Sequence, residues 1–337
     1  MDIDYVIAWV NGQDPKHIAL RKQYAPNTQK THQEATANER YQNNGELYYH
    51  IASLIKYAPF IRRIIIVSDN QKPEFLDAFI DEKKCSASFL QCVSHDEIFK
   101  GLNAVRPSFN ARSIETCLWR IPNLSNHFVY ANDDFFINKP LTANDFFIDG
   151  KPVLYGHWKK PETKRIKYRL RMLLEKISSY RYTFPNHGIS QWKGAVLSGV
   201  NGDYFTVHHY PHPLRCSTLK RFFEKNIDLL NHQVSFRYRD IAQFNVVSLA
   251  NNLEIAKHNV PILPHKGLAY VDFIKPKRVH SALNDIINET SHFGCVQGFE
   301  LFSAEMRAKI HHILLKKFDD VLPEAVKLSV EKEIASW

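Results

Sequence analysis

At 337 residues, 44% hydrophobic and 23% charged, the chain has globular composition and room for one large α/β domain or two modest ones. Its net charge of +9 suggests a polyanionic partner without choosing among phosphates, a nucleotide, nucleic acid or an anionic membrane face. The five cysteines (Cys85, Cys92, Cys117, Cys216 and Cys295) are odd in number, scattered and without a Cys-x-x-Cys pair, which argues against a disulfide framework or structural zinc site and for a reducing compartment.

The start, "MDIDYVIAWVNG", lacks the basic region and apolar core of a signal peptide, and no run approaches the length of a membrane span, so the expectation is a cytoplasmic protein. "DYVIAWV" (4–10) reads as a buried strand that breaks at "NGQDP". From Glu46, the apolar residues Leu47, Ile51, Leu54 and Ile55 predict a helix, which ends before Pro59. "IRRIIIVSDNQKP" predicts a second buried strand ending in Ser68, Asp69 and Asn70, and "SFLQCV" (88–93) a third. In "FNARSIETCLWRIPNL", Ile114, Leu118 and Ile121 share one helical face, with Arg112 and Glu115 off that stripe. "HFVYA" is then a strand delivering Asn132, Asp133 and Asp134.

Strands alternating with helices predict an α/β fold: a mostly parallel sheet flanked by helices, with a Rossmann-like or GT-A-like core. Ligands bind such sheets beyond the carboxyl ends of the strands, where "NGQD", "SDNQ" and "NDD" converge. Residues 159–181 hold nine Lys or Arg against two Glu, and Ile166, Leu170, Leu173, Leu174 and Ile177 form an apolar stripe. This predicts a basic amphipathic helical insertion over 159–184 between core segments 1–158 and 185–295. A further helix is predicted from Ser217 or Thr218, and C-terminal helices over 296–337.

Asp133 and Asp134 read either as a solvated turn or as a site for a hard cation, Mg²⁺ or Mn²⁺, which takes one or two carboxylates and leaves positions for water and phosphate. Because successive strand side chains point to opposite faces, both can meet one ion only if the chain leaves strand geometry there. "HHYPHPLR" places His208, His209, His212 and Arg215 in a proline-held segment suited to proton transfer or phosphate contact, or simply to the surface. Arg237 and Arg239 of "FRYRD" are a phosphate clamp or solvated charges. The positive charge is concentrated in one amphipathic stretch and no nucleic-acid motif is present, so nucleic acid is set aside as a partner.

These residues resemble the Stealth family of sugar-phosphate transferases. Its first block resembles "IDYVIAWVNGQDP" (3–15) and its second "NNGELYYHIASLIKYAPFIRRIIIVSDNQKPEFL" with "PSFNARSIETCLWRIPNLSNHFVYANDDFFINKPL". The third resembles "HHYPHPLR" through "FRYRD", and a short fourth resembles "SALND" (281–285) without the usual cysteine. Where the family often has Arg on the second-block helix, this chain has Tyr48 or Tyr49. The resemblance implies transfer of a sugar-1-phosphate from a nucleotide-diphosphate sugar to a glycan hydroxyl in capsular or cell-surface polysaccharide synthesis, with release of NMP. It implies Asp133 and Asp134 as the essential acidic pair, Glu115 as a required glutamate and His209 or His212 as the catalytic histidine. It further implies Arg239, or its neighbour Arg237, as a phosphate contact and Asn11, Gly12 and Asp14 as the nucleotide end of the first block; Asp69, Arg215, Asn284 and Asp285 complete the expected substrate-binding set. The alternatives are a metal-dependent glycosyltransferase releasing NDP and a non-catalytic polysaccharide-binding module. The expected partners are a nucleotide-sugar donor and a glycan acceptor, free or lipid-linked, with the basic helix either packed on the core or docked at the inner face of the plasma membrane.

Overall fold

The computed structural model describes residues 1–25, 41, 43–177, 186–263 and 266–337, with backbone alone for 167, 171, 172 and 175–177. The end of the expected insertion (178–184) and the side chains of Lys167, Arg171 and Ile177 therefore lie outside the described residues.

The first apolar run forms strand β1 (Ile3–Ala8). Asp14 then caps helix α1 (Pro15–Gln23): its carboxylate accepts from the Lys16 and His17 amides, and Pro15 opens the helix where no donor is needed. Gly12 is required by space, since a Cβ there would lie 1.8 Å from the Tyr41 carbonyl oxygen. Helix α2 (Glu46–Tyr57) buries Leu47, Ile51 and Leu54 and stops before Pro59. Strand β2 (Ile61–Ser68), a short helix α3 (Ala78–Asp81), strand β3 (Leu90–Ser94) and helix α4 (His95–Phe99), opened by a Ser94–Glu97 capping box, follow. Helix α5 (Ala111–Cys117) is capped by Asn110 and tightens to a 3-10 turn over Leu118–Arg120. Strand β4 (His127–Asn132) and strand β5 (Phe135–Ile137) are separated only by Asp133 and Asp134.

A hairpin of β6 (Phe147–Ile148) and β7 (Lys151–Pro152) leads to β8 (Leu154–Lys159) and the basic helix α6 (Ile166–Ile177). Helix α7 (His187–Leu197), capped by Asn186, precedes strands β9 (Tyr204–Val207) and β10 (His212–Arg215). Helices α8 (Cys216–Glu224), α9 (Ile227–Val234) and α10 (Val246–His258) come next. The chain then forms β11 (Ile262–Leu263), β12 (Leu268–Asp272), α11 (Pro276–Asn288) and β13 (Phe293–Gln297). It ends in α12 (Ala304–Phe318), capped by Ser303, and α13 (Glu324–Ala335).

The central sheet has the order β10-β4-β1-β2-β3, with β10 antiparallel at one edge and the other four strands parallel. Tyr5 and Ile7 of β1 point into a core shared with α2, while Val6 points into a second core with α8, α9 and α10. Covering both faces is why these strands read as continuous apolar runs. Two smaller sheets, β12-β13-β5 and β11-β8-β9, adjoin it. The C-terminal helices return to α2, where the Tyr49 hydroxyl lies 2.7 Å from His311 Nδ1 and Lys56 Nζ donates to the Lys317 carbonyl at 2.9 Å. Among the described residues, no helix is long and apolar enough to cross a membrane.

Charges at the amino end of the parallel strands are closed on themselves. Asp4 is fully buried and accepts from Arg62 at 2.8 and 2.7 Å, from Arg63 at 3.2 Å and from the Ser125 amide at 2.8 Å. Burial alone would raise its pKa; the two guanidinium groups and the amide overcome this and lower it. Arg215 is likewise engaged: it forms a bidentate pair with buried Glu254, at 2.9 and 2.6 Å. Its strand runs antiparallel to β4, so Arg215 pairs with His127 at the end of β4 far from Asn132. The structure thus withdraws it from the expected phosphate contacts. Replacing Arg215 with Ala strands the Glu254 carboxylate in the interior and is expected to cost about 3–5 kcal/mol in urea unfolding, whereas a surface arginine would change stability little.

Candidate functional site

The carboxyl edge of the parallel strands carries Asn11 after β1, Asp69 after β2 and Asp133 after β4. Asp133 and Asp134 form a two-residue turn, so the chain does leave strand geometry there, as a shared ion requires. Within that turn it passes from the central sheet to the β12-β13-β5 sheet: Val296 N–H donates to the Asp134 carbonyl at 3.0 Å, and Phe135 pairs with Cys295. The next pair, Phe136 and Gly294, is close enough that a Cβ on Gly294 would lie 2.0 Å from the Phe136 ring.

The sheet junction desolvates the acids. Burial pushes Asp133 well above the usual carboxylate range, and the charges of Asp134 and Glu46 push it further. Asp134 is raised by burial; His209 and a hydrogen bond from the Cys295 thiol, at 3.4 Å, oppose this. Asp134 Oδ1 is buried without a hydrogen-bond partner. Glu46, in the first turn of α2, accepts from the Asn44 amide at 2.7 Å and its side-chain nitrogen at 3.0 Å. Burial raises its pKa to about 7, and Asp134 adds to the shift.

On the other side, the Tyr130 hydroxyl bridges Glu115 Oε1, at 3.1 Å, and Asn132 Oδ1, at 2.8 Å. Burial raises the pKa of Glu115, against the opposing charges of Arg239 and Arg112. Among the described residues Arg239 donates no hydrogen bond to protein, so its guanidinium is available to a ligand. His209 is open to solvent on one side and packed by Phe135, at 4.6 Å, and Tyr270, at 5.9 Å, on others. Burial lowers its pKa and Asp134 partly restores it. His212 sits against Tyr130, and burial, with His209 and His187, drives its pKa to about 3. His187, at the start of α7, is lowered to about 4 by burial and by Arg112, His209, Arg239 and Lys159.

The structure therefore brings Asp133, Asp134, Glu115, His209, His212 and Arg239 to one edge. Asn11, Gly12 and Asp14 lie on the same edge, where Gln71 clamps the loop by accepting from the Asn11 amide at 2.9 Å and donating to Asp14 Oδ2 at 3.2 Å. Asp69 is occupied by Arg106 at 3.3 Å. Arg237 lies 3.8 Å over the Tyr24 ring, at the end of α1. Asn284 and Asp285 are not brought in: they lie near the end of α11, which leads back toward the start of β13, and Asp285 accepts from Thr290 and Ser291. Tyr48 and Tyr49 are buried on α2, Tyr48 accepting from the Phe75 amide and Tyr49 facing His311. Glu46, His187 and Cys295 were not singled out from the sequence. Glu46 reads there as a helix start, and Cys295 lies in a short strand with no motif around it.

Asp134, His209 and Cys295 each offer a ligand atom, all within 4.8 Å of one another. The orphaned Asp134 oxygen beside two further carboxylates fits a hard divalent ion. The Cys295 thiol is held protonated by burial and by Asp134, so it serves as a donor to the carboxylate.

The profile for Stealth protein conserved region 1 matches residues 1–29, and that for conserved region 2 matches residues 40–153. The receptor polysaccharide phosphotransferase WefC of Streptococcus gordonii is 30% identical over 260 residues, covering 72% of this chain and 75% of WefC. The chain belongs to the Stealth family. A capsular polysaccharide phosphotransferase of Neisseria meningitidis serogroup B is 37% identical over 252 residues, covering 73% of this chain and 62% of that relative. The Actinobacillus pleuropneumoniae relative cps1A, a capsular polysaccharide phosphotransferase, is 42% identical over 147 residues, but the match spans 43% of this chain and only 38% of cps1A. Among solved structures, the apo WbbM bifunctional glycosyltransferase aligns with 98% of this chain and 51% of its own at a TM-score of 0.48 and 11% identity. The Stealth regions contain Glu46, Glu115, Asp133 and Asp134; His187, His209, Arg239 and Cys295 are placed beside them by the fold of this chain.

The raised carboxylates predict a pH signature. Between the ordinary value of 4.5 and about 7, folded Glu46 keeps a proton that the unfolded chain releases, so the metal-free protein loses stability as pH rises through that window. Glu46→Gln should recover up to about 3 kcal/mol at pH 8. Thermal melts should also show stabilisation by Mg²⁺ or Mn²⁺ at that pH, absent in Asp134→Asn. A melt indifferent to ions in the unmutated protein would remove the cation from the site.

Proposed function

We propose that this edge transfers a sugar-1-phosphate from a nucleotide-diphosphate sugar to a hydroxyl of a glycan acceptor, releasing NMP. The observation that carries the reading is the desolvated Asp133–Asp134 pair at the sheet junction, with His209 beside Asp134 and Arg239, which among the described residues donates no hydrogen bond to protein, beside Glu115. The phosphotransferase names of WefC and the Neisseria relative support it.

In this reading, Asp133 and Asp134 hold a divalent ion, which when bound neutralises charge on the diphosphate oxygens. Arg239 complements the same phosphates with its planar fork. The acceptor oxygen attacks the phosphorus bearing the sugar. The bond from that phosphorus to the bridging oxygen breaks, and NMP leaves with the electron pair. His209 takes the hydroxyl proton. It is preferred over His212 because it is open to solvent, neutral at working pH and beside the acids, whereas a pKa of about 3 makes His212 too weak a base. Glu115, fixed by Tyr130, orients Arg239.

The Asp134, His209 and Cys295 donor set supports a second reading, in which His209 is a ligand to a softer ion such as Zn²⁺. Activity across Mg²⁺, Mn²⁺ and Zn²⁺ separates the two, since the first reading expects Mg²⁺ or Mn²⁺ to support turnover and Zn²⁺ not to.

The deciding assay identifies the nucleotide released from UDP-, GDP- and CMP-linked sugars. A monophosphate from a diphosphate donor is expected; stoichiometric diphosphate would make the protein a glycosyltransferase. His209→Ala should lower kcat about 10²- to 10⁴-fold with an unchanged melt, while His212→Ala should reduce it far less. Equal, near-normal rates in both variants would remove histidine from the chemistry.

A further inference from the structure

Two separate elements flanking the site carry the same surface chemistry. The first is α6. Three residues of its stripe face solvent: Ile166 is 76% exposed, Leu170 54% and Leu173 53%. Tyr168 joins the helix to α7, its ring lying edge-on to Trp192 at 6.1 Å. Lys164, Arg165 and Arg169 are exposed beside the stripe, and Trp158 on the preceding strand is 53% exposed. The root of this segment reaches the site, since Lys159 Nζ would lie 3.4 Å from a Cβ on Gly188, the residue that follows His187.

The second element is the turn after β12, "DFIKPKR" (272–278). Ile274 is 82% exposed and Phe273 44%, although Phe273 also touches the Phe302 ring at 5.5 Å. Lys275, Lys277 and Arg278 are exposed directly behind them. This turn also borders the site: β12 pairs with β13, whose Val296 holds the Asp134 carbonyl, and the Tyr270 ring lies 5.9 Å from His209.

An exposed isoleucine at the tip of a turn backed by three cations, and an outward apolar stripe edged by cations, are poor matches for water and poor matches for an acidic protein surface. They match a bilayer interface with anionic headgroups, where apolar side chains enter the acyl boundary and Lys or Arg meet phosphate. We propose that α6 and the 273–278 turn dock the protein on an anionic phospholipid surface, with the candidate site between them. This goes beyond the proposed reaction and does not depend on it. It gives that reaction a place to meet an acceptor carried on lipid.

The test is co-sedimentation with vesicles of phosphatidylcholine alone or mixed equally with phosphatidylglycerol, without any nucleotide present. Binding to the anionic vesicles that falls with added salt is expected, with little binding to the neutral ones. Lys277→Gln with Arg278→Gln should weaken it about thirtyfold, from the usual contribution per basic residue near an anionic surface. Ile274→Ser and, separately, Leu170→Ser with Leu173→Ser should weaken it further without altering the melt, because all three side chains lie in solvent. Failure to bind anionic vesicles at low salt overturns the proposal, as does binding unchanged in every variant. Capture by soluble polyphosphate in place of vesicles also overturns it and assigns the charge to a polymer. NMP release to a water-soluble acceptor, measured in the same variants, is expected to stay normal. In the unmutated protein, intact release without any vesicle binding refutes docking alone, and vesicle binding without release refutes only the proposed reaction.

Discussion

The structure turns on a two-residue passage between sheets. After Asn132 the chain must quit the central sheet, and by Phe135 it is already hydrogen-bonded into another. The only residues available for that passage are Asp133 and Asp134, so their carboxylates are held where protein crowds from both sheets. Desolvation, mutual repulsion and the approach of Glu46 all follow from that one constraint. A solvated acidic turn would have none of these properties, which is why the location of the pair matters more than its composition.

Around this acidic centre the protein arranges cations and neutral imidazoles in a graded way. Arg239 and Arg112 stand across Glu115, and His187, His209 and His212 occupy the ground between them and the aspartates. Burial and mutual proximity keep these imidazoles from charging together. The edge thus offers guanidinium groups at one side, desolvated carboxyl groups at the other, and uncharged imidazole nitrogen.

Much of the fold was legible because the parallel strands are buried on both faces: "DYVIAWV", "IRRIIIVS" and "HFVYA" are continuous apolar runs closed by polar clusters. The carboxyl-edge location of the site followed from those clusters. The second sheet was not legible. Its strands β5, β12 and β13 are short and lack a period, and their partner is distant in sequence. Glu46 and Cys295 were missed for the same reason, since each acquires its setting from a neighbour more than eighty residues away on the chain, Asp134 in both cases. Arg215 shows the opposite failure: its neighbour His212 lies at the site, but strand direction carries Arg215 to the far end of β4. Sequence adjacency says nothing about the sense in which a strand enters a sheet.

The Phe136 ring rests on Gly294, and that contact decides more than packing. Strand side chains alternate between faces, so a slip of β5 by a single position along β13 would exchange the faces of Phe135 and Phe136 and re-aim Asp134. Only the glycine leaves space for the ring, and only one alignment puts the ring over it. The alignment of the acidic pair is therefore keyed by a residue with no side chain, 160 positions downstream of Asp134. Gly294 itself holds nothing, yet a methyl group there would displace the Phe136 ring and with it the turn that carries both carboxyl groups.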